Sequence, residues 1–263
     1  MIEFRNVRMS FNDDVVLKEV SFTISRGQTK IILGVSGSGK STILKLILGL
    51  IRPDSGQILI DGEDITKLHE RELVQVRRRI GMVFQEGALF DSLSVRENVG
   101  YRLYEEGDMS EEEIDAAVRR LLGFVGLEDA IDKMPSELSG GMKRRAGLAR
   151  ALVGTPKVVL YDEPTAGLDP ITKRSIVELM IKLRDLEGVT TIFVTHDLRA
   201  ATLIASEYAI ADSSGAISIQ RGGDSMCLSN VHFVMLQDGQ ISFEGRYEEL
   251  KASQDSYIRG FLI

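Results

Sequence analysis

The sequence predicts an α/β domain on a mainly parallel core sheet, with an antiparallel β region at its start and a helical insertion. Three observations carry this. Short apolar runs of strand character alternate with helix-compatible stretches, notably from residue 157 onward. One of those runs, residues 30–33, leads through a glycine-rich loop directly into a helical pattern. Between residues 90 and 150 the alternation gives way to amphipathic helical spacing.

Taken in order, residues 2–33 alternate as strands, with turns at Asn12-Asp13-Asp14 and Arg26-Gly27. Phe11 stands at the tip of this region, where an aromatic ring can stack on a purine or pack under the turn. The loop Gly34-Val35-Ser36-Gly37-Ser38-Gly39-Lys40-Ser41-Thr42 then fits G-x-x-x-x-G-K-[ST]. Its glycines let the backbone wrap a phosphate with N–H groups, and the helix that follows adds positive potential. Lys40 is placed to reach the β- and γ-phosphates, and the Ser41 hydroxyl to ligate Mg²⁺. The chain is expected to bind a nucleoside triphosphate.

Pro53-Asp54-Ser55-Gly56 and Asp61-Gly62 bound a short hairpin-like stretch over 57–60. Residues 68–79 suit a charged helix, and 80–84 a buried strand closed by Gln85. A glutamine at the carboxyl end of a strand in an α/β sheet faces the ligand crevice. In the helical stretch, Ser110-Glu111-Glu112-Glu113 is a capping box ahead of an amphipathic helix over 114–124. Pro135-Ser136-Glu137 breaks the pattern, and a second helix runs over 142–152. Lys143-Arg144-Arg145 within it is expected to form a solvated basic face.

The strand over 158–161 ends in Asp162-Glu163-Pro164. A carboxylate there can hold Mg²⁺ through water, and its neighbour Glu163 can polarise the water that attacks the γ-phosphate. Asp169-Pro170 offers an N-cap and first-turn proline to a helix over 171–186. Another buried strand over 190–195 ends at His196-Asp197, and a helix over 198–207 follows. Ser139-Gly140-Gly141 opens a helix of its own, so its free N–H groups make a second anion site. Residues 209–230, rich in Ser and Gly, predict a mobile loop, although 208–219 faintly echoes the closing hairpin over 230–244. The tail over 247–263 reads as helical and ends in apolar Phe261-Leu262-Ile263, able to dock on the domain itself or on a partner.

Composition narrows the partners. The chain has 263 residues, 43% hydrophobic and 27% charged, and a net charge of −7 that argues against nucleic acid. Its one cysteine, Cys227, excludes an internal disulfide and fits a reducing compartment. No apolar run approaches the ~18–20 residues of a membrane span, and the start does not read as a signal peptide. A cytosolic protein that docks on something else is expected.

Taken together, the phosphate loop, Leu138-Ser139-Gly140-Gly141-Met142, the 158–163 strand with its two acids, Ala166-Gly167-Leu168-Asp169 and Thr195-His196-Asp197 resemble the ATP-binding cassette (ABC) family. The resemblance implies a P-loop NTPase nucleotide-binding domain with an antiparallel β subdomain, a mainly parallel core sheet and a helical subdomain over about 90–150. The whole of 1–263 would be one such domain, with a variable insertion over about 209–230 and a closing hairpin and tail over 231–263. One departure is Met142, where the family's signature most often has glutamine. The resemblance implies that His196 contacts the γ-phosphate and that Gln85 positions water and completes the Mg²⁺ shell. It implies an adenine-stacking role for Phe11. It also implies a head-to-tail homodimer in which Ser139, Gly140 and Gly141 clasp the partner's ATP and Asp169 lines the interface.

A cassette without a membrane span would need separate permease subunits. The segment 85–99, with Leu138-Ser139-Gly140-Gly141-Met142 and its basic continuation, is similar to the ATPases of Mce-type lipid transporters. That implies a peripheral protein at the cytoplasmic face of the inner membrane, working with a permease and an Mce-type substrate-binding protein. The same motor could serve another cargo, such as amino acids or metals. A soluble cassette acting on ribosomes or DNA fits less well, given the absence of a long heptad insertion and the acidic charge.

Overall fold

The computed structural model describes residues 2–222 and 230–262, so Cys227 and the terminal Ile263 lie outside the described residues. Its centre is a six-stranded sheet ordered β12-β11-β3-β8-β7-β6. Within it β6 (Ile80–Val83), β7 (Val158–Asp162), β8 (Thr190–Thr195), β3 (Thr29–Leu33) and β11 (Val231–Gln237) run parallel. Only β12 (Gln240–Gly245), joined to β11 through Asp238-Gly239, pairs antiparallel.

The central strands β3, β7 and β8 are buried almost throughout and mostly apolar because they are covered on both faces. Along β7, Val159 and Tyr161 enter one core while Val158 and Leu160 enter the other. On the second face lie α1 (Lys40–Ile47), α2 (Glu70–Arg77) and a four-stranded antiparallel sheet. That sheet, ordered β2-β1-β4-β5, comprises β1 (Ile2–Phe11), β2 (Asp14–Ile24), β4 (Ser55–Ile60) and β5 (Glu63–Asp64). The alternating burial of Ile2, Phe4, Val20, Phe22 and Ile24 is the period-2 pattern of a sheet with one buried face, and Phe4 stacks on Phe22 at 4.6 Å.

On the first face α3 (Val95–Glu106), α4 (Glu111–Phe124) and α5 (Gly140–Leu152) pack on one another, with α6 (Pro170–Glu187) and α7 (Leu198–Ser206) beside the sheet. α4 begins at the expected capping box, Ser110 with Glu113. α3 has the same device in Ser94 and Glu97.

Over 209–222 the expected loop is not what forms, and the rest of that expectation, 223–229, lies outside the described residues. β9 (Glu207–Ala211) and β10 (Ile217–Arg221) make a separate antiparallel hairpin. It is held from α6: Arg174 bonds Glu207 at 2.8 Å, the buried Arg184 donates to the Ile204 and Glu207 carbonyls, and Asp185 accepts from the Ala209 N–H at 2.8 Å. Composition missed this because the anchors lie about 25 residues earlier in the chain. The tail folds as α8 (Tyr247–Ala252) and α9 (Ser256–Leu262), and Phe261 and Leu262 pack against the domain's own core rather than standing exposed.

Candidate active site

Between β3 and α1 the chain turns tightly around a small space. A Cβ on Gly34 would lie 2.5 Å from the Leu236 carbonyl oxygen and 2.6 Å from Ser38 Oγ, so only glycine fits there. Gly39 caps α1 with φ 101°, the left-handed region that a side chain disfavours. Ser38 is buried, and its Oγ has no hydrogen-bond partner among the described residues. Such an orphan costs about 1–3 kcal/mol, and a phosphate oxygen in the loop is a partner of the right chemistry. The loop thus fits the polyphosphate of ATP.

Lys40 is only 6% exposed, and its Nζ donates to the carbonyls of Gly34 (2.8 Å) and Val35 (3.0 Å) at the mouth of the loop. Burial lowers its pKa from the ordinary lysine value, and the charges of Glu163 and Asp162 oppose that fall. Next to it the Ser41 hydroxyl donates to Asp162 Oδ1 at 2.8 Å, which brings the two expected metal-binding oxygens together. Burial pushes the Asp162 carboxyl above its usual range in spite of that hydrogen bond.

Glu163 leaves β7 in a strained conformation. Its φ is 46°, costly for a side chain of this size, and its N–H donates to the Val194 carbonyl at 3.0 Å. The turn aims its carboxylate at the loop. Oε1 lies 3.7 Å from Lys40 Nζ and 2.9 Å from His196 Nδ1, while Oε2 accepts from the Thr195 hydroxyl at 3.1 Å and the His196 N–H at 3.3 Å. Strain of this kind survives where the surroundings over-determine it, and such places cluster at functional sites.

Gln85 is exposed just past the end of β6, next to the strand that carries Asp162. Phe11 is 44% exposed at the tip of the β1–β2 hairpin; Val16 and Leu17 of the same hairpin abut Gly39, so the ring stands on the loop's side of the molecule. Ser139 caps α5, accepting from the Met142 N–H at 3.3 Å, and Asp169 caps α6, accepting from Ile171 and Thr172. The two helix starts are close neighbours, since a Cβ on Gly141 would meet Thr172 Cγ2 at 2.6 Å. Among the described residues, none of Ser139, Gly140, Gly141 and Asp169 is joined to the phosphate loop by a hydrogen bond or ion pair.

Lys143-Arg144-Arg145 does not form the solvated basic face expected of it, because two of the three cations are bound to backbone carbonyls. Arg144 is only 8% exposed; its Nε donates to the Gln85 carbonyl at 2.5 Å and its Nη2 to the Ala166 carbonyl. Arg145 donates to the carbonyls of Val125 and Gly126. Arg150 adds bonds to Gly87 and Ala88, so α5 grips the loop after β6 at several points. The signal was in the sequence: position 144 falls on the stripe of Leu148 and Leu152, where a cation needs acceptors.

The family model for ABC transporter matches residues 17–166. The intermembrane phospholipid transport system ATP-binding protein MlaF of Haemophilus influenzae is 43% identical over 262 residues, all of this chain and 90% of that one. The methionine import ATP-binding protein MetN of Carboxydothermus hydrogenoformans is 40% identical over 82% of this chain and 65% of that one. The dimeric post-hydrolysis structure of the ATP-binding cassette MJ0796, bound to ADP and Pi, superposes with a TM-score of 0.78 at 32% identity, covering 94% of this chain and 98% of that one.

Proposed function

Because the chain belongs to the ABC transporter family, as its ATP-hydrolysing subunit, we propose that it powers phospholipid movement across the bacterial envelope. The observation that carries the catalytic part is Glu163, strained into place between Lys40 and His196. Its carboxylate takes the proton of the attacking water, Lys40 binds the β- and γ-phosphates, and His196 contacts the γ-phosphate as the bond to the leaving ADP breaks. Gln85 orients that water. Ser41 and Asp162 would hold Mg²⁺, which when bound neutralises charge between the phosphates. Phe11 stacks on the adenine, and the loop from Gly34 through Ser36, Gly37, Ser38 and Gly39 to Thr42 binds the phosphates.

The cassette works as a head-to-tail homodimer with two ATPs between the protomers. Ser139, Gly140 and Gly141 contact the partner's nucleotide, and Asp169 borders it. What supports this is that these residues sit at helix starts, Ser139, Gly140 and Asp169 exposed, and that the neighbouring cassette structure is dimeric. All of 1–263 acts as one domain, with the helices over about 90–150 and the loop at Gln85 facing integral permease subunits. The protein is peripheral on the cytoplasmic side of the inner membrane, and an Mce-type protein delivers or receives the lipid. Among the described residues no helix is long and apolar enough to cross a membrane. The full-length likeness to MlaF favours a lipid cargo, while the likeness to MetN supports a second reading, an amino acid or other small cargo.

The test of the catalytic part is Glu163→Gln. ATP binding, followed with a fluorescent ATP analogue, should hold within about two-fold, while hydrolysis falls by ~10²–10⁴. An ATP-dependent dimer should then accumulate in light scattering. Hydrolysis at a near wild-type rate would remove Glu163 from the role of base.

A further inference from the structure

A cavity of ≈ 580 Å³ opens at the end of the core sheet opposite the phosphate loop. Its wall includes Ile80, Val158 and Thr190, the first residues of β6, β7 and β8. The other ends of those strands lead to Gln85, Asp162 and His196, so the cavity and the reaction centre are separated by a strand length, roughly 15–20 Å. Leu121 and Phe124 of α4 close one side and Leu183 of α6 another, which makes the lining mainly apolar.

The mouth is cationic. Arg79 just before β6, Arg120 on α4 and Lys157 just before β7 converge on it, all exposed, and among the described residues none of their side chains has an ion pair or hydrogen bond. Against them stand Glu187 and an Asp61 that is paired with Arg26 at 2.8 Å. Scattered surface cations are ordinary. Three unpaired ones around an apolar cavity, in a chain of net charge −7, are a local inversion of the protein's charge. The size lies within the ~300–1,000 Å³ of small-ligand sites, which combine an apolar body with a few polar groups.

We propose that this cavity binds an amphiphile with one apolar chain and an anionic head, the head held by Arg79, Arg120 and Lys157 and the chain packed on Leu121, Phe124 and Leu183. The site is separate from the ATP site and its occupancy does not depend on nucleotide. It stands independently of the cargo proposed above. A fatty acid and a lysophospholipid share this chemistry.

The test is equilibrium binding of cis-parinaric acid, a fluorescent long-chain fatty acid, to the intact purified chain. Saturable binding is expected, one per chain, unaffected by saturating ATP and displaced by palmitate or by lysophosphatidic acid; which of the two displaces better identifies the head group. The double variant Arg120→Glu/Lys157→Glu should weaken binding at least ten-fold, as should methyl esterification of the probe, with basal ATPase unchanged. Leu121→Trp, which fills the cavity without touching the charges, should also block it. Non-saturable binding, affinity indifferent to charge reversal and esterification, or displacement by ATP would each overturn the proposal.

Discussion

Asp162 stands partly buried at the end of β7 with its carboxyl pKa raised by burial. A carboxylate whose folded pKa lies above its unfolded value adds stability at acid pH and loses it as pH rises through the raised value. Asp162→Asn should therefore raise the melting temperature of the nucleotide-free protein at pH 7, with the gain disappearing below about pH 4, near the unperturbed carboxyl value. Hydrolysis should nonetheless drop by about 100-fold or more with the carboxylate proposed to hold Mg²⁺ gone. Thermal denaturation across pH reads the first effect, and a destabilised variant at pH 7 would contradict it. Arg144 makes a second residue-scale prediction. Arg144→Met leaves the carbonyls of Gln85 and Ala166 without their donor, at a cost of about 1–3 kcal/mol each where they stay buried. Because one carbonyl belongs to the Gln85 loop and the other to the segment between Glu163 and Asp169, kcat should fall about ten-fold while KM for ATP stays within about two-fold. Equal losses in both, or a loss only of thermal stability, would make Arg144 a packing residue. The loop from Gly34 to Thr42 and the pair Asp162-Glu163 were legible in the sequence because a set spacing of residue types follows an apolar run in each case. Arg144 was not, since its role is to satisfy backbone carbonyls 59 and 22 residues away.

At the scale of elements, strands and helices with local determinants could be read directly. The alternation of β1 and β2, the double-faced apolar runs of β3, β7 and β8, and the caps at Ser110 and Asp169 all lie within a few residues of the structure they specify. The β9–β10 hairpin left only a faint local signal, the echo of the closing hairpin over 208–219, and Arg174, Arg184 and Asp185 secure it from α6. Hydrogen exchange should find the amides of β9 and β10 protected for minutes or longer, and Arg184→Met should release them while leaving β7 and β8 protected. Exchange within seconds in the wild-type chain would return this segment to the loop that its composition predicts. The same reasoning explains the tail. Its apolar residues looked exposed when read alone, yet Ile258 is 1% exposed and Phe261 and Leu262 rest on the core.

For the whole molecule, the arrangement separates tasks by place. The carboxyl ends of β3, β7 and β8 carry the residues proposed for the nucleotide chemistry, while α5 and α6 begin at exposed positions, where the second protomer of the proposed dimer would meet them. Aromatic residues Phe84, Phe90, Tyr101 and Tyr104 remain exposed beside the Gln85 loop, on the side expected to meet membrane subunits. Neither partnership is encoded in a local pattern, so only the resemblance pointed to them. The most direct test of the account uses the Glu163→Gln chain, tagged and expressed in its native host and recovered from detergent-solubilised membranes with Mg-ATP, with bound proteins and lipids identified by mass spectrometry. A multi-span permease, an Mce-type protein and co-purified phospholipid are expected. A permease with a different binding protein would keep the motor and overturn the cargo, and ribosomal or DNA-bound proteins without a membrane subunit would contradict the central claim.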